Sequence, residues 1–394
     1  MNNLFKLKFI NISENELFNI GFDKTYINKG IKKHKFLSIK IFGLNCAQAN
    51  ILKQTAISVG TDCAVHREVI TGNVKISDCI LSGSVNQFEK ICHKLMQQPF
   101  KMSVLSHQIS DLLSKKLQPL TIRNKIFDWD NKTYIMGILN VTPDSFSDGG
   151  KYLDLDAAIN HYKKLVNDGA DVVDIGGEST RPYSCSVDVD EEISRVIPII
   201  KTIREFDSNT VLSIDTRNAL TAKLALDTGA DIINDVSALE WDVDMLNVIK
   251  THQCPVVLNH SKGSPDVMQN NPEYTDVVDE VFDYFCKKIK FLTENGIEIT
   301  NIIVDPGIGF GKTTEHNIEI INRLSEFKTL GCSILVGHSR KRFVKDIINS
   351  DNLDELDIAS AFLSQKLLNN KANIIRVHNV AINKVMQKME ELFF

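Results

Sequence analysis

The sequence predicts a (β/α)8 barrel preceded by a small α/β domain, and three observations predict it. From Tyr134 onward, short β-branched apolar runs alternate with amphipathic stretches. The runs number eight, as a closed barrel of βα units requires. Each run carries a polar residue or a glycine at or near its end, always in the same chain direction. A doubly wound open sheet has the same local grammar, but the absence of an obvious switch point favours closure.

The runs are 134–140, 172–177, 211–215, 232–236, 256–260, 302–307, 334–339 and 374–379. Continuous apolar runs of this length suit strands buried on both faces, as in a parallel sheet. Between them, 156–168, 218–227 and 273–294 have helical spacing, followed at once or within two residues by Gly169, Gly229 and Gly296. Glycine just past a helix is the expected C-cap. Residues 1–125 differ: 36–44 alternates like a strand, 46–59 reads as a helix, 79–83 as a strand, and 85–97 and 103–116 as helices. The expected division is therefore 1–125 and 126–394, with the junction in 118–130, and no catalytic group stands out in the first part.

A length of 394 residues suits two domains. Apolar residues at 43% and charged residues at 24% exclude a disordered, collagenous or membrane-spanning chain. Lys plus Arg number 45 against 50 Asp plus Glu, a net charge of −5. That balance gives no general attraction for nucleic acid or an anionic membrane. The cysteines are scattered without a CxxC, and the N-terminus lacks a signal-peptide pattern, so the expected location is the cytoplasm.

The strand ends carry Asn140, Asp174 with Glu178, Asp215, Asn234, His260, Asp305, Ser339, and Arg376 with His378. One such residue would be explained as a helix cap; polar groups at every strand end point to a polar ligand at the barrel's reactive face. After the first strand, Asn140-Val141-Thr142-Pro143-Asp144-Ser145-Phe146-Ser147-Asp148-Gly149-Gly150 is rich in turn formers and acids, suited to closing over a substrate. Asp174-Ile175-Gly176-Gly177-Glu178-Ser179-Thr180-Arg181-Pro182 offers close backbone approach, a hydroxyl and an anion-binding fork. Arg181 alone would read as a solvated loop cation. Asp305 to Thr313 fails as a phosphate loop because Pro306 stands where glycine is required; its glycines instead suggest a tight loop presenting Phe310. Lys341, Arg376 and His378 form a cation cluster at the last two strands, where barrels of this type commonly hold phosphate. His252, His260 and His316 lack zinc-site spacing, and a hard cation on oxygen ligands around a diphosphate fits better.

In order, MGILNVTPDSFSDGG, DIGGESTRP, SIDT, IINDV, DPGIGFGK, SRK and RVH resemble the dihydropteroate synthase family, from about Tyr134 to the C-terminus. The resemblance implies condensation of 6-hydroxymethyl-7,8-dihydropterin diphosphate with 4-aminobenzoate on the folate pathway, with sulfonamides as inhibitors. It implies that Asn140 helps hold Mg2+ with the diphosphate. Asp215, Asn234, Asp305 and Lys341 would read the pterin edge, and Arg376 and His378, with Arg181 and Asn140, the diphosphate. Thr180, Arg181, Pro182, Phe310, Phe146, Asp148 and Arg342 would frame the aminobenzoate, with Asp148, Arg181 and Lys341 nearest the chemistry. A homodimer is the expected assembly, with small-molecule substrates and no nucleic-acid or membrane partner. Ser261, Arg217, Arg342 and Asn379 depart from the pattern. A corrinoid-linked methyltransferase and a non-catalytic pterin-binding module are the competing readings. The methyltransferase has no diphosphate to hold, which the cation cluster argues against.

Overall fold

The computed structural model describes residues 7–141, 151–178, 187–262 and 272–393. It divides into two compact units, Met1–Lys115 and Lys116–Phe394.

The first unit contains α1 (Glu14–Asn19), α2 (Ile27–Ile31), β1 (Phe36–Asn45), α3 (Cys46–Ser58), β2 (Asp62–Ala64), β3 (Ile76–Ser84), α4 (Val85–Leu95) and α5 (Met102–Ser114). Its strands form an antiparallel sheet in the order β1-β3-β2. Asn45 and Ser84 end strands and start helices, because each accepts from the third helical amide while Gln48 and Gln87 reach back. Such reciprocal caps satisfy amides a helix start leaves bare. Leu52, Leu81, Phe88, Ile91 and Leu95 give this unit its own core.

The second unit opens with a hairpin, β4 (Leu120–Ile122) and β5 (Lys125–Phe127). The barrel strands follow: β6 (Tyr134–Asn140), β7 (Val172–Gly176), β8 (Val211–Asp215), β9 (Ile232–Asp235), β10 (Val256–Asn259), β11 (Ile302–Asp305), β12 (Ser333–Gly337) and β13 (Ile374–Val377). All eight close into one barrel through parallel pairs, β13 returning to β6. The alternating helices are α6 (Lys151–Asn167), α7 (Val189–Phe206), α8 (Ala219–Thr228), α9 (Met245–His252), α10 (Val277–Glu294), α11 (Thr314–Arg323), α12 (Arg342–Ile348), α13 (Leu353–Asn369) and α14 (Val380–Phe393). The glycines expected to stop α6, α8 and α10 all have positive φ. Among the described residues no helix is long and apolar enough to cross a membrane.

Strand parity decides what faces the lumen. Met136, Val172, Val211, Ile232, Val257, Ile303, Leu335 and Ile374, one from each strand, form a single cluster with Phe127, Trp129 and Tyr134. This is the apolar floor of the barrel. Side chains two residues further along a strand share the same face. Asp174, Ser213, Asn234, Asn259, Asp305, Gly337 and Arg376 therefore make the next layer up. The opposite parity, for example Val173, Leu212, Leu258 and Val304, packs into the main core under the helices.

The hairpin explains why the unit begins at Lys116 rather than at 126. Leu120, Ile122 and Phe127 belong to the barrel's floor cluster, with Phe127 4.6 Å from the Tyr134 ring. Asn373 donates to the Trp129 carbonyl at 2.7 Å and ties this plug to the strand above it. The sequence gives the plug no repeat of its own, so it reads as linker.

Candidate active site

The upper lumen layer is polar and almost dry. Asp174 is 0% exposed, Asn234 4%, Asn259 4%, Asp305 4% and Asp215 6%. Register places Asn140, Gly176, Asp215 and Asn234 side by side across four neighbouring strands. Gly176 has no side chain there, and a Cβ would come within 3.4 Å of the Asp215 Cβ.

Arg376 organises the carboxylates. Its Nε donates to Asp174 Oδ2 at 2.6 Å and its Nη2 to Asp215 Oδ2 at 2.5 Å. Burial alone would lower the guanidinium's pKa, but Asp174 and Asp215 more than offset this and raise it. Asn234 also donates to Asp174 Oδ2, at 3.0 Å. The expectation for Arg376 was an anion ligand only; the structure gives it an ion pair with two buried acids as well. The cause is parity: Arg376 follows Ile374 on the lumen face, level with Asp174.

Each acid keeps one oxygen unused. Asp174 Oδ1, Asp215 Oδ1, Ser213 Oγ and Asn259 Oδ1 are buried and have no hydrogen-bond partner among the described residues. Buried polar atoms are normally satisfied, so a cluster of orphan acceptors marks where a donor-bearing ligand belongs. Burial pushes the Asp215 carboxyl up to about 7 despite Arg376, and raises Asp305 despite Lys341. Burial brings the Lys341 ammonium down to about 7, with Asp305 opposing. Perturbed groups of both signs that act on one another electrostatically suit a functional site.

The loop after β11 forms the rim. Gly307 has φ +68°, and a Cβ there would sit 1.9 Å from the His260 carbonyl oxygen, so only glycine fits. Asp305 Oδ1 accepts from the Gly307 amide at 2.8 Å. Lys341 donates to the Ile308 carbonyl and lies 3.9 Å from the centroid of the Phe310 ring. Lys341 and Phe310, expected at different substrates, are therefore neighbours. Lys312 holds this loop from beneath: its ammonium reaches Gly307 O and Phe310 O at 3.0 Å, His260 O at 3.2 Å and His260 Nδ1 at 3.0 Å. Burial pushes Lys312 well below its ordinary pKa and His260 down to about 2.

The remaining assigned residues are placed as follows. His378 contacts Ser339 Oγ through Nδ1 at 3.1 Å. Asn140 ends β6 half-buried. Arg342 has a side chain 77% exposed and pairs only loosely with Asp346, at 3.8 Å. Phe146, Asp148, Thr180, Arg181 and Pro182 lie outside the described residues. Of the departures, Asn379 caps α14 and bonds Asp357, while Arg217 pairs with Glu178 at 2.8 Å and stacks 3.9 Å over Trp241.

Sequence reasoning missed two residues. It took His260 as the polar end of β10, but His260 has the outward parity and packs 4.8 Å from the Tyr284 ring. Asn259 is the lumen residue, two positions after Val257, and counting by two along the run would have found it. Lys312 carried no recognisable signal, since a lysine after glycine in a loop reads as solvated.

Residues 136–378 match the family of pterin binding enzymes. The chain belongs to the dihydropteroate synthase family of these enzymes. A dihydropteroate synthase of Synechocystis is 41% identical over 66% of this chain and 90% of its own length. A Xanthomonas albilineans dihydropteroate synthase, solved with 4-aminobenzoic acid, shares 35% identity at a TM-score of 0.66, covering 71% of this chain and 98% of that one. A probable bifunctional folylpolyglutamate synthase/dihydropteroate synthase of Haloferax volcanii is 37% identical over 85% of this chain, more than the barrel unit alone makes up. The chain spans 41% of that relative's length. The N-terminal unit thus has at least partial likeness in another family member.

Proposed function

We propose that the barrel joins 6-hydroxymethyl-7,8-dihydropterin diphosphate to 4-aminobenzoate, giving 7,8-dihydropteroate and diphosphate. By family the chain is a transferase of folate biosynthesis. The observation that carries the substrate reading is the layer of orphan acceptors at Asp174, Asp215 and Asn259, closed at its rim by Lys341. A pterin ring presents N–H donors along one edge and acceptors on another, matching carboxylates on one side and an ammonium on the other.

Asp215, Asn234 and Asp305 would hold the donor edge and Lys341 the acceptor edge. Phe310, beside Lys341, puts the arylamine next to the pterin methylene. His378, Arg376 and Arg181 would take the diphosphate, and Arg342 the outer rim of the arylamine. The motif positions of Thr180, Pro182, Phe146 and Asp148 assign them to the arylamine side. The C–O bond to diphosphate breaks, the methylene carbon becomes cationic, and the amine nitrogen attacks it and loses a proton. The protein's part is orientation and stabilisation of the leaving anion. For Mg2+, the amide oxygen of Asn140 is a hard donor suited to an ion that keeps water and substrate phosphate as its other ligands. When bound, that ion neutralises charge on the diphosphate.

Exposed Ile358, Phe362, Val385, Met389 and Leu392 on α13 and α14 support a homodimer. Unpatterned cysteines support a reducing, cytoplasmic setting. Incorporation of labelled 4-aminobenzoate into dihydropteroate, inhibited competitively by a sulfonamide, tests the assignment. A folded protein that binds both substrates without forming product would instead be a pterin-binding module.

A further inference from the structure

We propose that Asn259 is a specificity-determining ligand of the pterin, its amide oxygen accepting an N–H of the exocyclic amine. The inference rests on the pterin reading above and gives Asn259, there only one of the orphan acceptors, a specific partner on the ligand.

Asn259 follows Val257 on the lumen face of β10 and is 4% exposed. Its Oδ1 is wholly buried without a partner among the described residues. Nothing in the packing requires an amide there, and a leucine of similar size would leave no acceptor unsatisfied. The neighbouring strand explains the need. Asn259 pairs in register with Asp305. Asp305 Oδ1 already accepts from the Gly307 amide at 2.8 Å, which leaves Oδ2 the freer of its two oxygens for a ligand. That oxygen lies on the β12 side, 3.8 Å from where a Cβ of Gly337 would be. Asn259 Oδ1 lies on the opposite flank, over Gly307, where a Cβ would approach it to 2.9 Å.

A pterin places a ring N–H next to an amino group with two N–H bonds, and a carboxylate that meets the ring N–H and one of these leaves the second amine N–H without an acceptor. Asn259 supplies that acceptor. It does so without adding a negative charge to a layer already holding Asp174, Asp215 and Asp305, where a further buried carboxylate would be costly. The predicted consequence is discrimination: the residue matters for a ligand carrying the amine and not for one lacking it.

The test is calorimetry on the full chain with 6-hydroxymethylpterin and its 2-deamino analogue, for wild type, Asn259→Leu and Asn259→Ala, beside thermal melts. Both variants should lose about tenfold or more in affinity for the aminopterin and no more than about twofold for the deaminated ligand. The leucine variant should melt at or above wild type, because it removes an orphan acceptor. Unchanged aminopterin affinity in either folded variant, or equal losses for both ligands, overturns the proposal. A wild type that binds neither pterin overturns the functional reading itself, and this inference with it.

Discussion

Arg376 offers the sharpest test of how the site is built, because two roles converge on it. As a pure anion ligand, its loss would weaken the diphosphate substrate and leave everything else intact. The structure requires more, since Arg376 bridges Asp174 and Asp215 at 2.6 and 2.5 Å with its own side chain 18% exposed. Arg376→Met keeps much of the volume and leaves two buried carboxylates facing each other. Breaking a buried ion pair from one side costs about 3–5 kcal/mol, because the stranded charge stays desolvated. At roughly 2 °C per kcal/mol for a unit this large, the melting temperature should fall by ~6–10 °C. Pterin without diphosphate should also bind more weakly, since Asp215 loses the group that orients it. Adding Asp174→Asn should restore part of the stability, because the two sites are coupled. Differential scanning calorimetry and pterin titration read both effects. Unchanged melting and unchanged pterin affinity, with loss confined to the diphosphate ligand, would refute the bridging role.

Four further outcomes follow from the geometry. Asp215 must be ionised to accept and Lys341 protonated to donate, and both are brought to about 7, so pterin affinity should peak near neutrality. It should fall below as Asp215 takes a proton and above as Lys341 loses one; a flat titration from pH 5 to 9 would contradict this. Lys312→Met strands several buried carbonyls and should cost ~2–4 kcal/mol in a denaturant melt while raising the KM for 4-aminobenzoate through Phe310. Gly307→Ala should cost more than ~2 kcal/mol, from left-handed strain plus contact with the His260 carbonyl, and wild-type stability would show that the loop relaxes freely. A chain starting at Lys116 should fold and release diphosphate, whereas one starting at Lys125 should be less stable, having lost β4 from the floor of the barrel; equal melts for the two would remove the hairpin from the core.

Fold class was legible because eight strands buried on both faces leave eight apolar runs; a doubly wound sheet shares that local grammar, and the number of runs without a switch point favoured closure. Asp215, Asn234 and Asp305 were legible for the same reason, as polar residues ending apolar runs, and Lys341 as one of the cations after the seventh run; their pterin roles came from the family resemblance. Asn259 was hidden because the run 256–260 reads as ending at His260, the more conspicuous polar residue, which has the opposite parity. Lys312 was hidden because its neighbours are brought together only by the turn at Gly307. The double role of Arg376 was hidden because Asp174 lies 202 residues away in sequence and meets it only across the closed barrel.

The central claim is catalysis of a diphosphate-releasing condensation, and the most direct measurement is diphosphate release with both substrates and Mg2+ present. Release should require 4-aminobenzoate for sustained turnover, match dihydropteroate formation mole for mole, and be strongly reduced in Asp215→Asn. Binding of both substrates by the folded wild type with no diphosphate released would contradict the account.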